Sequence, residues 1–127
     1  MQQRPLPDDQ SRLTQRAFRL LDAWDVPKDL QFGLLGLAPG LKKRQVNRYR
    51  MGTPLPQDGD CYQRIDLLFK INGILRKLFP HSELSANLWV TTPSLRYGGY
   101  TPLDTMLKGL DGIRRVERSL NSPEVWH

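Results

Sequence analysis

The stretch WVTTPSLRYGGYTPLDTMLKGLDGIRRVERSL, residues 89–120, decides the fold of this chain because it carries the start signals of short helices. Thr101 can cap a helix, Pro102 suits its first position, and Asp104 completes a capping box with Thr101. The residues before Thr101 are aromatic and rich in glycine, as in a loop. The stretch therefore predicts a short helix that follows directly on an aromatic loop.

A second helix is expected immediately after the first. Gly109 can close the first helix as its C′ residue, and Asp111 can cap a second helix that ends near Asn121. Apolar residues repeat at helical spacing through both helices and form one seam: Leu103, Met106, Leu107, Leu110, Ile113, Val116 and Leu120. This periodicity predicts a tight helix pair whose seam lies mainly in a core.

Elsewhere the pattern indicates helices and no strand, so an all-α fold is expected. The predicted helices are 11–24, 28–35, 41–51, 61–79 and 82–89. Apolar residues cover more than half of helix 61–79, which predicts either a central position that serves both parts of the chain or pairing across an interface. Residues 1–10 are expected to form a flexible tail.

Composition limits the class of protein. A chain of 127 residues forms one domain, or two very small ones that share a core. No apolar run approaches the length of a transmembrane helix, and the N-terminus lacks the apolar region of a signal peptide. Cys61 is the only cysteine, which excludes an internal disulfide and suits a reducing cytosol. These features predict a cytoplasmic, globular protein that does not enter a membrane.

The net charge of +6 is concentrated in one segment. Five basic residues and no acidic residue lie between Leu41 and Gly52, whereas the remainder of the chain has 14 basic and 13 acidic residues. A cluster of one sign in an otherwise balanced protein predicts contact with a polyanion. The alternative is a solvated helix face.

The order of elements resembles a helix-turn-helix motif: a helix is followed by a glycine-containing turn, a basic helix and a closing glycine. The turn would lie in LLGLAPG (34–40) and the recognition helix in KKRQVNRYRMG (42–52). The candidate DNA-binding residues are Lys42, Lys43, Arg44, Gln45, Asn47, Arg48 and Arg50. Lys and Arg pair with phosphates, and Gln45, Asn47 and Arg48 suit base readout. Gly36 and Gly52 are unusually far apart, so either the turn is longer or the recognition helix begins later; a degenerate motif kept for structure or dimerisation is the alternative.

Residue order within 89–120 resembles the toxin-binding domain of the Xre/MbcA/ParS antitoxins. The matching positions are Trp89, Pro93, Gly98, Gly99, Thr101, Pro102, Leu103, Asp104, Gly109, Val116 and Leu120. The resemblance implies an Xre-like helix-turn-helix part over 11–60 and a compact helical toxin-binding domain over 61–127. It further implies an antitoxin that occludes the active site of a RES-type, NAD-degrading toxin and represses its own operon by binding operator DNA.

The candidate toxin-binding residues are Trp89, Tyr97, Tyr100, Arg114, Arg115, Arg118, Glu124, Trp126 and His127. Each group has a structural alternative. Trp89 suits a half-buried core anchor, the two tyrosines suit a loop that packs over its own core, and the arginines suit a solvated face. The final residues, SPEVWH (122–127), are expected to dock onto the toxin or onto the chain itself, and by family analogy they would obstruct entry of NAD.

No constellation of catalytic residues is present in the sequence. His81 and His127 are far apart with no acid or cysteine at ligand spacing, and Cys61 has no nearby histidine. The sequence therefore predicts no enzyme, no catalytic residue, no metal and no cofactor. A homodimer is expected. The alternatives are a stand-alone helix-turn-helix regulator without a toxin partner, and an antitoxin against another class of toxin.

Overall fold

The computed structural model describes residues 7–38 and 40–122, and over these ranges the chain is helical without any strand. The α-helices are α1 (Pro7–Ala23), α2 (Lys28–Leu34), α3 (Lys43–Arg50), α4 (Cys61–Leu78), α5 (Glu83–Leu88), α6 (Pro102–Met106) and α7 (Leu110–Asn121). Two 3₁₀ turns, Trp89–Thr91 and Leu95–Tyr97, connect α5 to α6. The predicted all-α fold is confirmed. None of the helices in the described ranges has the length and apolar character needed to cross a membrane.

The first helix starts earlier than the sequence pattern indicates. α1 begins at Pro7. Proline is compatible with this position because the first helical turn does not need its missing N–H. Gln10 is buried, and its carbonyl accepts a hydrogen bond of 2.8 Å from the Thr14 hydroxyl. Residues 7–10, expected in a flexible tail, are thus helical, while residues 1–6 lie outside the described residues.

The central helix of the molecule is α4, which packs against α1, α5 and α7. It buries five side chains: Cys61, Ile65, Leu68, Ile71 and Leu75. These side chains belong to one cluster of buried apolar residues that extends from Ala17 in α1 to Leu120 in α7. Of the two positions expected for helix 61–79, the structure shows the central one, in a core that extends from α1 to α7.

The C-terminal helix pair has the predicted capping box but a different junction. Thr101 Oγ1 accepts from the Asp104 N–H at 3.1 Å, and Asp104 Oδ2 accepts from the Thr101 N–H at 3.0 Å. Gly109 does not close α6, whose C-cap is Leu107; it is the N-cap of α7, with a φ of +122° that favours glycine. Asp111 accordingly lies in the first turn of α7 and is not its cap.

α6 and α7 approach each other at the level of the backbone. A Cβ atom on Gly112 would lie 2.0 Å from the Thr105 carbonyl oxygen, so only glycine fits at this crossing. The close approach buries most of the predicted seam, namely Leu103, Met106, Ile113, Val116 and Leu120. Leu107 and Leu110, at the ends where the two helices join, are only half-buried.

Candidate functional site

The basic cluster lies on α3, a helix without a single buried residue. We call the four exposed cations of this helix and its N-cap, Lys42, Lys43, Arg44 and Arg48, the basic surface. Within 7–38 and 40–122, no carboxylate forms an ion pair with any of them. Asn47 is exposed beside them, whereas Gln45 Oε1 accepts from the Lys42 N–H at 3.1 Å and so caps the helix. The basic surface is free to meet an anionic partner.

The connection between α2 and α3 explains the unusual spacing of glycines. It runs from Leu35 to Lys42, which is longer than the 3–4 residues of a typical helix-turn-helix. α3 begins at Lys43, close to the predicted start, so the turn is longer and the helix is not displaced. Gly36 has a φ of +81°, and a Cβ there would lie 2.8 Å from Asp60 Oδ1.

Arg50, a candidate for DNA contact, is turned into the fold. Its Nη1 donates to Gln31 Oε1 and its Nη2 donates to Asp22 Oδ2, each at 2.6 Å. The guanidinium carbon lies 5.2 Å from the centre of the Phe18 ring. Arg50 thus clamps α3 to α1 and α2, and the opposite face of α3, with Arg44 and Arg48, is exposed. The available sequence signal was its position four residues after the apolar Val46, since positions i and i+4 share a helix face.

Gln31 and Asp22 complete the Arg50 clamp. The buried Gln31 amide donates from Nε2 to Asp22 Oδ1 at 2.8 Å and to the Val26 carbonyl at 3.0 Å. Partial burial disfavours the charged form of Asp22, but hydrogen bonds from Arg50 and Gln31 outweigh it and lower the pKa of this carboxyl below its usual value. Asp22 is therefore ionised near neutral pH and keeps the clamp closed.

The aromatic loop before α6 is anchored by Tyr97. Tyr97 is buried, and its hydroxyl is hydrogen-bonded to Ser119 Oγ in α7. Its ring packs edge-on against Trp89, with ring centres 6.1 Å apart and an interplanar angle of 82°. Trp89 is half-buried and packs against the core. Trp89 therefore has the position of a half-buried core anchor, and Tyr97 packs over the core of its own domain. Together they attach the loop to the domain.

Tyr100 has the opposite environment. The loop closes through hydrogen bonds from the Ser94 N–H to the Tyr100 carbonyl at 3.0 Å and from the Gly99 N–H to the Ser94 carbonyl at 2.9 Å. Gly98 and Gly99 both have positive φ, which lets the chain turn tightly enough for this closure. The Tyr100 side chain is left 68% exposed at the edge of the loop. Tyr100 is therefore available to a partner.

The arginines of α7 also differ from one another. Arg114 pairs with Asp111 at 3.5 Å, whereas Arg115 and Arg118 are exposed and have no ion pair within the described ranges. Arg115 lines a cavity of about 430 Å³ between the aromatic loop and the α6–α7 junction. The other lining residues are Tyr97, Tyr100, Asp104, Thr105 and Lys108. Glu124, Trp126 and His127, the remaining candidates, lie outside the described residues.

Thr105 in α6 and Lys108 in the α6–α7 junction were not predicted as site residues, because the helical spacing of apolar residues in this stretch indicates only the seam. The cavity exists only when the loop folds back over α6 and α7. Neither the loop nor the helices contain a motif for it, and no signal in the sequence could have located it.

The described residues contain no group of three or more His, Cys, Asp or Glu side chains that could hold a metal ion. Cys61 is buried, and this burial raises the pKa of its thiol. A protonated, buried thiol is a poor nucleophile, so Cys61 acts as a core residue.

Comparison with known proteins adds two findings. Residues 75–122 match the family model of the antitoxin Xre/MbcA/ParS C-terminal toxin-binding domain. The chain is also 34% identical over 106 residues to the uncharacterized protein y4oB of Sinorhizobium fredii (strain NBRC 101917 / NGR234), a match that covers 83% of this chain and 78% of that protein. The matched range 75–122 runs from the end of α4 to the end of α7 and includes every residue that lines the cavity.

Proposed function

Residues 75–122 match the Xre/MbcA/ParS C-terminal toxin-binding domain, and from that premise we propose that this chain is an antitoxin that binds and inhibits a RES-type, NAD-degrading toxin. The observation that carries the proposal is the match over 75–122, which includes α5, α6, α7 and the aromatic loop. Toxins of the RES type are the partners that the family resemblance implies. Inhibition would occur by occlusion of the toxin's active site.

The exposed side of the toxin-binding domain supplies the proposed contact. Tyr100, Arg115 and Arg118 are exposed, and tyrosine and arginine are enriched among the residues that dominate binding energy at protein interfaces. Tyr97 and Trp89 would contribute indirectly, because they hold the loop that carries Tyr100. Arg114 would form part of the rim. Contacts from Glu124, Trp126 and His127 remain predictions from the sequence.

Co-expression tests the toxin-binding proposal. The product of the gene next to this one is expressed alone and with this chain, and growth, cellular NAD and co-purification are measured. We expect growth arrest with loss of NAD in the first case, and in the second case normal growth, normal NAD and a stable complex. Absence of a complex and of growth rescue would refute the proposal. Growth arrest that co-expression relieves, but that occurs without loss of NAD, would point to a toxin of another class.

We further propose that the chain represses its own operon through the basic surface. The support is electrostatic: four cations without acidic partners in the described ranges are exposed on one short helix and its N-cap, and the Arg50 clamp holds that helix in place. Lysine and arginine bind the phosphate backbone and release condensed counterions. A clamped helix gives such contacts a defined register on the duplex.

Salt dependence tests the DNA-binding proposal. Affinity for the DNA upstream of the operon is measured by fluorescence polarisation at several salt concentrations. Each phosphate contact contributes about 0.9 to the slope of log affinity against log salt, so R44A/R48A is expected to reduce the slope by about 2. The control K70A/K77A removes two exposed cations from α4 and is expected to leave the slope unchanged. A flat salt response of the unmodified protein would exclude the basic surface as a DNA site. DNA binding without a toxic neighbour would favour the stand-alone regulator.

A homodimer is part of the proposal. Several apolar residues of α4, among them Leu67, Ile74 and Leu78, are only half-buried, and helix-turn-helix proteins commonly bind DNA as twofold dimers. Light scattering after size exclusion measures the mass in solution. A strictly monomeric protein at micromolar concentration would refute this part of the proposal.

A further inference from the structure

The cavity beside the aromatic loop has walls that are fixed before any partner binds. On one side, the hydrogen bond between Tyr97 and Ser119 attaches the loop to α7. The Ser119 hydroxyl donates to the Val116 carbonyl at 3.0 Å, so Tyr97 is the donor to Ser119 Oγ. On the other side, the backbone contact between Gly112 and Thr105 fixes α6 against α7. A fixed cavity spares a partner the entropic cost of ordering it.

The charges that line the cavity are unbalanced. Lys108 and Arg115 are both exposed, and neither forms an ion pair with any residue of the described ranges. Asp104 is the single acid of the lining, and one of its carboxylate oxygens already accepts from the Thr101 N–H. Asp111, the acid nearest in sequence, pairs with Arg114. Two cations thus face one engaged carboxylate, which favours an anionic occupant.

The shape and rim of the cavity favour a protruding side chain of a protein. Its volume of about 430 Å³ is at the lower end of ligand pockets, which span roughly 300–1,000 Å³. Tyr100 borders it with a largely exposed ring, an amphipathic surface typical of the centre of protein interfaces. Lysine and arginine form their strongest hydrogen bonds with ionised acceptors such as carboxylates.

We propose that this cavity receives an Asp or Glu side chain of the toxin, with the carboxylate between Lys108 and Arg115 and the Tyr100 ring packed over its aliphatic part. The proposal rests on the toxin-binding function and specifies the chemistry of the partner at that surface. Lys108 becomes a specificity-determining residue, because its ammonium and the Arg115 guanidinium together select a negative charge. The same pair would repel a lysine or arginine at that position of a non-cognate toxin.

Charge reversal tests the carboxylate site. Binding of the toxin encoded by the adjacent gene is measured by calorimetry for the unmodified protein, for K108E/R115E and for R19E/K77E. The control R19E/K77E makes the same change in net charge at exposed positions outside the cavity, which separates local pairing from overall electrostatic steering. We expect K108E/R115E to weaken binding about 100-fold or more and the control to change it by less than about threefold. Unchanged circular dichroism and thermal midpoints verify that both variants fold.

A compensating change in the toxin identifies the occupant. Surface Asp and Glu residues of the toxin are replaced singly by Lys, and each variant is tested against K108E/R115E. The proposal expects one replacement that weakens binding to the unmodified antitoxin and restores binding to K108E/R115E.

Different results would refute the toxin-binding function and the carboxylate site. If the unmodified protein does not bind the toxin, the toxin-binding function itself is refuted, and the carboxylate site with it. If the unmodified protein binds the toxin and K108E/R115E binds as well as the control, only the carboxylate site is refuted. A K108E/R115E variant that binds toxin normally but loses operator DNA would reassign the cavity to a phosphate and overturn the proposal.

Discussion

α3 and the α6–α7 pair both carry basic side chains, but they are attached to the molecule in different ways. α3 has no fully buried residue and is attached by the polar contacts of Arg50 together with the partly buried Tyr49. α7 buries Gly112, Ile113, Val116 and Leu120, and its backbone touches that of α6. α3 has little apolar surface, and one of its cations, Arg50, contributes to its attachment. α7 is attached by its buried apolar face, so Arg115 and Arg118 remain exposed and available to a partner.

The largest expected effect tests the backbone contact of the α6–α7 pair. In G112A the new Cβ would clash with the Thr105 carbonyl, and no side-chain rotation can relieve it. We expect the free energy of unfolding to fall by about 3 kcal/mol, at the upper end for overpacking. Urea denaturation followed by circular dichroism measures it. The control is G73A in α4, where a Cβ has no neighbour within 4 Å. That variant should gain about 0.5–1 kcal/mol, since alanine is the better helix former. Equal stability of the two variants would contradict the close crossing.

The next effect separates two arginines of α3. R50A removes the donor of the buried Gln31 Oε1 and the partner of Asp22, so we expect a loss of about 1–2 kcal/mol. R48A removes an exposed, unpaired side chain and should change stability by less than about 0.5 kcal/mol while weakening DNA binding. R50K keeps the charge but not the two-pronged geometry, and should recover only part of the loss. Thermal or urea denaturation ranks the variants. An R50A variant as stable as R48A would break the distinction between clamp and surface.

The smallest effect concerns pH. Hydrogen bonds from Arg50 and Gln31 lower the pKa of Asp22 in the folded protein, so this carboxylate contributes stability above its unfolded pKa, about 3.9. That contribution is lost as pH falls through the lower folded pKa. D22N should therefore be less stable than the unmodified protein at pH 6, and the difference should shrink below pH 4. Partial solvent exposure keeps the difference small. Urea titrations at pH 6 and pH 3 measure it, and a gap that widens at pH 3 would contradict the clamp.

Local signals were sufficient wherever the interaction is local. The Thr101–Asp104 capping box and the start of α4 at Cys61 are set within a few residues, and the structure has them as expected. Gly109 shows the limit of that reasoning. A glycine that can end one helix can equally begin the next, and the choice depends on how α7 packs against α6.

Site residues were harder because one sequence feature can have two environments. Tyr97 and Tyr100 flank the same glycine pair, yet one is buried against α7 and the other is exposed. Arg48 and Arg50 belong to the same basic run, yet one faces solvent and the other faces α1 and α2. Only the neighbouring helices distinguish the members of each pair.

The sequence by itself determined the all-α class, the helix over 61–79, and the resemblance to the antitoxin family, because periodicity, caps and motif order are properties of short segments. The tertiary structure alone decided which cations are free and where the cavity lies. Whether Arg50 is a contact or a clamp, and whether Lys108 and Arg115 share a site, depends on segments far apart in the chain. Hydrogen bonding and burial bring those segments together, and no local pattern records the result.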